Sequence, residues 1–167
     1  MRPLRIAGVL VSVFCVLSAA IHPQVSRFSI YTFQKDASLK IGYPDGWSVS
    51  EAIDESGSVL SAVITRSNLP DSEGYIFFLI PYPPNTTVQD SRQFAGLAID
   101  QLRSSSLPSL KLEKDYRHAT MEHIHVSELS LDSEGTRFLG KSWSVFLKGQ
   151  GAVLGIFALF YGPQSTF

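Results

Sequence analysis

The sequence predicts an α+β fold with a central antiparallel sheet, and three observations lead there. Short apolar runs recur between clusters of Gly, Pro, Asp and Ser, as strands joined by turns do. One stretch, residues 87–103, spaces Phe94, Leu97, Ala98 and Leu102 at helical period, with Ile99 beside them. The last third of the chain alternates strand and turn signals as a three-stranded antiparallel meander.

The first twenty residues are set apart from this fold. Arg2 and Arg5 precede an almost wholly apolar run over 6–17, and Ser18-Ala19-Ala20 supplies small residues for cleavage. Residues 1–20 read as a signal peptide and 21–27 as a mobile leader, leaving 28–167 as a single domain. An uncleaved anchor over residues 6–21 is the alternative, because that run sits at the short end of a membrane span. Cys15 lies mid-run, not at the end of a small-residue lipobox. The predicted location is therefore exported, periplasmic or secreted, with membrane contact only through an uncleaved signal.

Removing Arg2 and Arg5 takes the formal charge from −1 to −3, and Cys15 is the only cysteine. The mature core must then hold without disulfides. About 147 residues suffice for one such core. No basic run or arginine-aromatic interleaving occurs in the mature part, which argues against nucleic acid. Nothing in the composition suggests disorder.

Residues 28–33 alternate as a strand, and Leu39, Ile41 and Tyr43 continue after a turn at Lys35-Asp36, giving an opening hairpin. It ends at Tyr43-Pro44-Asp45-Gly46-Trp47. Proline presets a turn φ and Asp-Gly completes the turn, so Trp47 restarts the strand as a core anchor. Trp47, Val49 and Ile53 follow, before a break at residues 54–57. Residues 59–65 and 75–80 are apolar on both parities and read as central strands, with Pro81, Pro83 and Pro84 ending the second. Thr87-Val88-Gln89-Asp90 approximates a capping box opening the helix, which Ser104-Ser105-Ser106 and Pro108 stop. Its apolar stripe covers one face of the sheet. Leu110, Leu112 and Tyr116 mark the next strand. Ile124, Val126, Leu129 and Leu131 carry another, with a parity change near Ser127-Glu128 that reads as a bulge. Asp132-Ser133-Glu134-Gly135 and residues 148–151 are turns around the strand of Trp143, Val145 and Leu147. Residues 152–161 form the last strand.

The order of these elements, the Tyr43-Pro44-Asp45-Gly46-Trp47 corner, the proline-rich exit before the helix and the final apolar-aromatic run ending at Pro163 resemble the PsbP-like superfamily, which includes the DcrB-like exported bacterial proteins. The resemblance implies an α/β/α sandwich, an antiparallel sheet with flanking helices. It also implies an accessory or binding role without shared catalytic residues. Relatives add a helix after the final strand, and residues 164–167 are too few for one. The expected fold therefore lacks its C-terminal helix, leaving one sheet face partly bare.

The strongest chemical constellation is His123-Ile124-His125. Two apart in a strand, the imidazoles share a face roughly 7 Å apart, close enough for one divalent metal such as zinc if His118 or a neighbouring strand adds a third ligand. The competing reading is a polar, solvent-facing strand, since Ile124 and Val126 define the buried face. No Gly-x-Ser-x-Gly elbow, His-Glu-x-x-His or mature cysteine supports a hydrolase. Gly149, Gly151 and Gly155 precede no helix, as a phosphate cradle would require. Asp71 with Glu73, and Asp132 with Glu134, read as solvated turn charges. Asn85-Thr86-Thr87 is a glycosylation acceptor pattern on a surface loop. The function that remains is a non-enzymatic accessory or binding protein. It would use a sheet face, or the loops 67–74 and 81–87, to hold an envelope or secreted protein partner or an apolar ligand, with no cofactor.

Overall fold

The computed structural model describes residues 27–34, 40–53, 60–66, 73–105, 107–149 and 152–166. Residues 1–26, where the expected signal peptide and most of the leader fall, the Lys35-Asp36 turn, the break at 54–57, residues 67–72 of the polar loop and residues 150–151 of the last turn lie outside them. The chain forms two compact units, Met1–Val49 and Ser50–Phe167.

In the first unit β1 (Phe28–Thr32) and β2 (Lys40–Pro44) pair antiparallel, with Phe28 opposite Pro44 and Thr32 opposite Lys40. This is the expected opening hairpin. The corner that follows turns at Gly46, whose φ of 83° is open to glycine at little cost. Asp45 fixes it, accepting a hydrogen bond from Ser29 Oγ at 2.6 Å and donating its backbone N–H to the Arg27 carbonyl at 3.2 Å. Trp47 is half-buried.

A seven-stranded antiparallel sheet dominates the rest. β3 (Trp47–Ile53), β4 (Leu60–Arg66) and β5 (Gly74–Tyr82) are followed by the helix α1 (Ser91–Ser105), β6 (Lys111–Arg117), β7 (Ile124–Ser133), β8 (Thr136–Gly149) and β9 (Ala152–Pro163). The strand order is β3-β4-β5-β9-β8-β7-β6, so the last strand in sequence is the middle one in space. β7, β8 and β9 form the expected meander. Its first turn, Glu134-Gly135, has φ of 50° and 79°, the pair of left-handed residues that a two-residue hairpin with matching twist requires.

The expected sandwich with flanking helices is overturned. Of the described residues 63% are strand and one short α-helix stands among them, and β9 runs into a 3-10 turn (Gln164–Thr166). Helical periodicity exists only where α1 forms; the second helical layer came from the resemblance, and strand alternation elsewhere never supported it. No helix among the described residues is long and apolar enough to cross a membrane.

Three local expectations shift. β5 continues through Pro81, which pairs with Leu154 of β9, beyond Leu79, the last residue of β5 with a described partner on β4. The irregularity lies not in β7 but in β6, between Leu112 and Lys114, while β7 runs unbroken against β8. Glu73 is buried, not solvated, and pairs with Arg66 at 3.1 Å.

The sheet is apolar on both faces. Ala62, Ile64, Tyr75, Phe77, Val126, Trp143 and Phe160 are buried on one. On the other, α1 lies across β7, β8 and β9 and buries Phe94, Ala98, Ile99 and Leu102 against Leu129, Phe146, Phe157 and Leu159. Leu97, expected in that stripe, is 51% exposed. The Phe94 ring lies against Gly155, where a Cβ would come within 2.4 Å of it.

Candidate functional site

The two ends of α1 carry the candidate sites, one polar and one apolar. At the N-terminus the cap is Asp90, three residues beyond the expected Thr87. Its Oδ1 accepts from Gln93 N at 2.8 Å, and Gln93 Oε1 in turn accepts from Gln89 N at 2.8 Å. Asp90 thus satisfies one of the amides a helix start leaves unpaired, while Gln93 reaches back past the cap to the amide of Gln89. Ser91 then clamps the helix to the sheet, its Oγ donating to the His123 carbonyl at 2.6 Å and accepting from Phe146 N at 3.0 Å.

Beside this clamp, Asp115 Oδ2 on β6 accepts from Arg92 Nε at 2.9 Å and lies 3.4 Å from His125 Nε2 on β7. The three side chains, with Asp90, Arg117, Glu122 and His123, line an open cleft of about 670 Å³. Alternation placed His125 on a solvent face, but its side chain is only 9% exposed. β7 is covered on both faces: Ile124 and Val126 are buried on one, and His125 is buried on the face that bears α1. The sheet face beneath α1 also holds three serines. Ser127 and Ser142 face each other across β7 and β8, and Ser144 sits opposite His125. All three are at most 1% exposed, and their Oγ atoms have no hydrogen-bond partner.

The three histidines proposed from the sequence do not converge. His123 lies in the turn before β7, exposed, and contributes its carbonyl to Ser91. His118 turns back on its own loop, with Nδ1 accepting from Thr120 N and Met121 N, both at 3.3 Å. His125 alone points at Asp115. Among the described residues no group of three or more His, Cys, Asp or Glu could hold a metal ion. The partners that do gather around His125, Arg92 and Asp115, are 23 residues apart in sequence, a distance at which periodicity carries no signal.

Burial pushes the His125 imidazole below its ordinary value, opposed by the Asp115 carboxylate and reinforced by the Arg92 guanidinium, while Asp90 adds a small upward pull. The unfolded chain therefore binds this proton first as pH falls. The stability that neutral His125 preserves is complete above about pH 6.5, declines below it, and is lost once pH passes the lower folded value. Urea midpoints measured from pH 8 to 5 are expected to fall on acidification, and less so in His125→Gln. Parallel profiles for the two proteins would refute this.

At the other end of α1 the chain leaves the helix through a fixed turn. Leu107 N donates to the Leu102 carbonyl at 2.9 Å, Leu110 N to the Leu107 carbonyl at 3.0 Å, and Arg103 Nε to the Leu110 carbonyl at 2.9 Å. This turn, with Ile76, Leu129, Leu131 and Leu159 of the sheet, lines an apolar hollow of about 310 Å³ that opens to solvent on one side. The hollow continues the core where α1 ends, and no charged side chain lines it. Sequence reading assigned Leu110 and Leu129 to strands without placing them in one cavity.

Among the described residues a single α-helix lies on a broad antiparallel sheet, and in backbone this arrangement resembles the fold of Mog1p. The crystal structure of the Saccharomyces cerevisiae Ran-binding protein Mog1p matches with a TM-score of 0.54 and 10% identity, over 82% of this chain and 77% of that one. LpqN, involved in cell envelope biogenesis of Mycobacterium tuberculosis, matches with a TM-score of 0.45 and 10% identity, over 89% and 86%. PA94 of Pseudomonas aeruginosa gives 0.36 and 14%, over 84% and 86%. No family model and no curated protein matches the sequence.

Proposed function

We propose that this chain is an exported, non-catalytic accessory protein of DcrB-like type that holds a protein partner or an apolar ligand. The observation that carries this reading is the preformed apolar hollow at the C-terminal end of α1, whose walls are fixed by three backbone-directed hydrogen bonds. A concave, largely apolar site with few polar groups is the usual form of a small-ligand pocket. The fold shared with a Ran-binding protein supports a binding role. Export rests on the reading of residues 1–20.

The test is an apolar reporter on the native protein. N-phenyl-1-naphthylamine is expected to brighten at one site per chain and to be expelled when Leu131→Trp fills the hollow. Leu131 is half-buried, so the indole enters the hollow without removing a core side chain. A native protein that leaves the dye dark, or a variant that binds it as well as the parent, would refute the reading.

A further inference from the structure

We propose that the hollow at the C-terminal end of α1 takes a single hydrocarbon chain, as an alkyl or acyl lipid presents, with the head group left in solvent. This rests on the binding reading above and adds the ligand class. The size sets the first limit. At about 310 Å³ the hollow is about twice the ~150 Å³ of a leucine-lined cavity that stays dry and accepts benzene, which leaves room for roughly a dozen carbon atoms. One leucine or phenylalanine side chain offered by a partner protein would leave much of that space empty, and unfilled apolar space is costly.

The chemistry of the walls sets the second limit. Leu107, Leu110, Leu129, Leu131, Leu159 and Ile76 surround the space with branched aliphatic groups, and the polar groups among the lining are Ser130, Ser133 and the Tyr161 hydroxyl. Ser130 already donates to Glu113. The cations on the neighbouring strands are engaged as well, Lys111 with Asp132 at 3.6 Å and Arg137 with Glu113 at 3.3 Å. A charged group inside would find no counter-charge and would lose its hydration, so the inserted part of the ligand is uncharged. Because the turn over 107–110 is held by its own hydrogen bonds, the space is formed before the ligand arrives and little ordering opposes binding.

The experiment uses the full chain and 11-(dansylamino)undecanoic acid as a fluorescent reporter, displaced by the uncharged alcohols 1-hexanol to 1-tetradecanol. Affinity is expected to rise about fourfold per added methylene, the fold-change that burying one such group supplies, and to level off near a dozen carbons. Leu131→Trp and Leu107→Trp are each expected to weaken the reporter about tenfold or more, since both bring bulk into space the chain occupies. Two sites are used so that one misfolded variant does not decide the result, and urea midpoints establish that each is folded. Alcohols that compete equally whatever their length would overturn the hydrocarbon assignment. So would reporter binding that survives both tryptophans. If N-phenyl-1-naphthylamine still binds and is expelled by Leu131→Trp while the alcohols fail to compete, the apolar-site reading stands and the ligand class falls. If neither dye nor alcohol binds, both fall.

Discussion

Phe94→Ala is expected to lower the unfolding free energy by about 3 to 5 kcal/mol, the range for removing a fully buried aromatic side chain. Phe94 is wholly buried, in the first turn of α1 where the helix packs on the sheet. Its ring lies 6.1 Å from Tyr82, edge-on at 89°, and 6.0 Å from Phe146, nearly stacked at 28°. Tyr82 and Phe146 meet each other at 5.5 Å, so the three rings close a triangle whose aromatic contacts add to the area they bury. Gly155 completes the arrangement. It provides the flat spot on β9 into which Phe94 presses, and a Cβ there would stand 2.4 Å from Cε2 and 2.7 Å from Cζ of the ring. Gly155→Ala alone should therefore cost about 1 to 3 kcal/mol by overpacking.

The pair also predicts the sign of their coupling. In Phe94→Leu the ring carbons that would collide with a new methyl are gone, so adding Gly155→Ala to that variant should cost less than adding it to the parent, by about 1 kcal/mol or more. Urea unfolding of the four proteins of this cycle measures the difference. Strict additivity would mean that Phe94 and Gly155 do not share the space the structure assigns them, and α1 would then be docked by something other than this ring.

What sequence reading recovered and missed has a common physical basis. The opening hairpin, the Asp45-Gly46 turn, the Glu134-Gly135 turn and the closing meander are determined by residues close together in the chain, and each was legible. Leu97 was misplaced because helical spacing defines an angular sector whose edge depends on what lies opposite; at residue 97 that is solvent. Asp90 and not Thr87 is the cap because the helix starts at Ser91, so the Asp90 carboxylate accepts from Gln93 N while Thr87 lies outside the first turn. Neither candidate site was legible. The Arg92, Asp115 and His125 cluster and the leucine-walled hollow each join residues from the helix region and two or more strands. Only tertiary pairing brings these together.

His125 and the serines near it went unread for a further reason. Ser142 and Ser144 alternate with Trp143 and Val145, and alternation alone makes the polar parity the solvent parity. Here that parity is the face beneath α1. Ser144 lies opposite Phe157 of β9, and Ser142 opposite Leu159, both members of the apolar core. Ser127 faces Ser142 from β7. Three hydroxyls thus lie between the apolar core and the His125 and Asp115 side chains, without a hydrogen-bond partner for any of them. An unpaired buried hydroxyl carries its desolvation cost with no compensating bond, about 1 to 3 kcal/mol. Replacing one of them by alanine keeps the Cβ and every apolar contact it makes, and removes only the unpaired group. The void left by one oxygen subtracts from the gain, so about 1 kcal/mol per site is expected. The three sites are close enough to be coupled, and the triple variant Ser127→Ala, Ser142→Ala, Ser144→Ala should be more stable than the parent by about 2 to 3 kcal/mol. This reverses the usual direction of a core substitution, most of which destabilise. Urea midpoints at pH 7.5, where His125 is neutral in parent and variant alike, keep its titration out of the comparison. A triple variant less stable than the parent would mean that the hydroxyls are paired, and the seam between α1 and the strands β7 and β8 would have to be redrawn as a bonded polar layer.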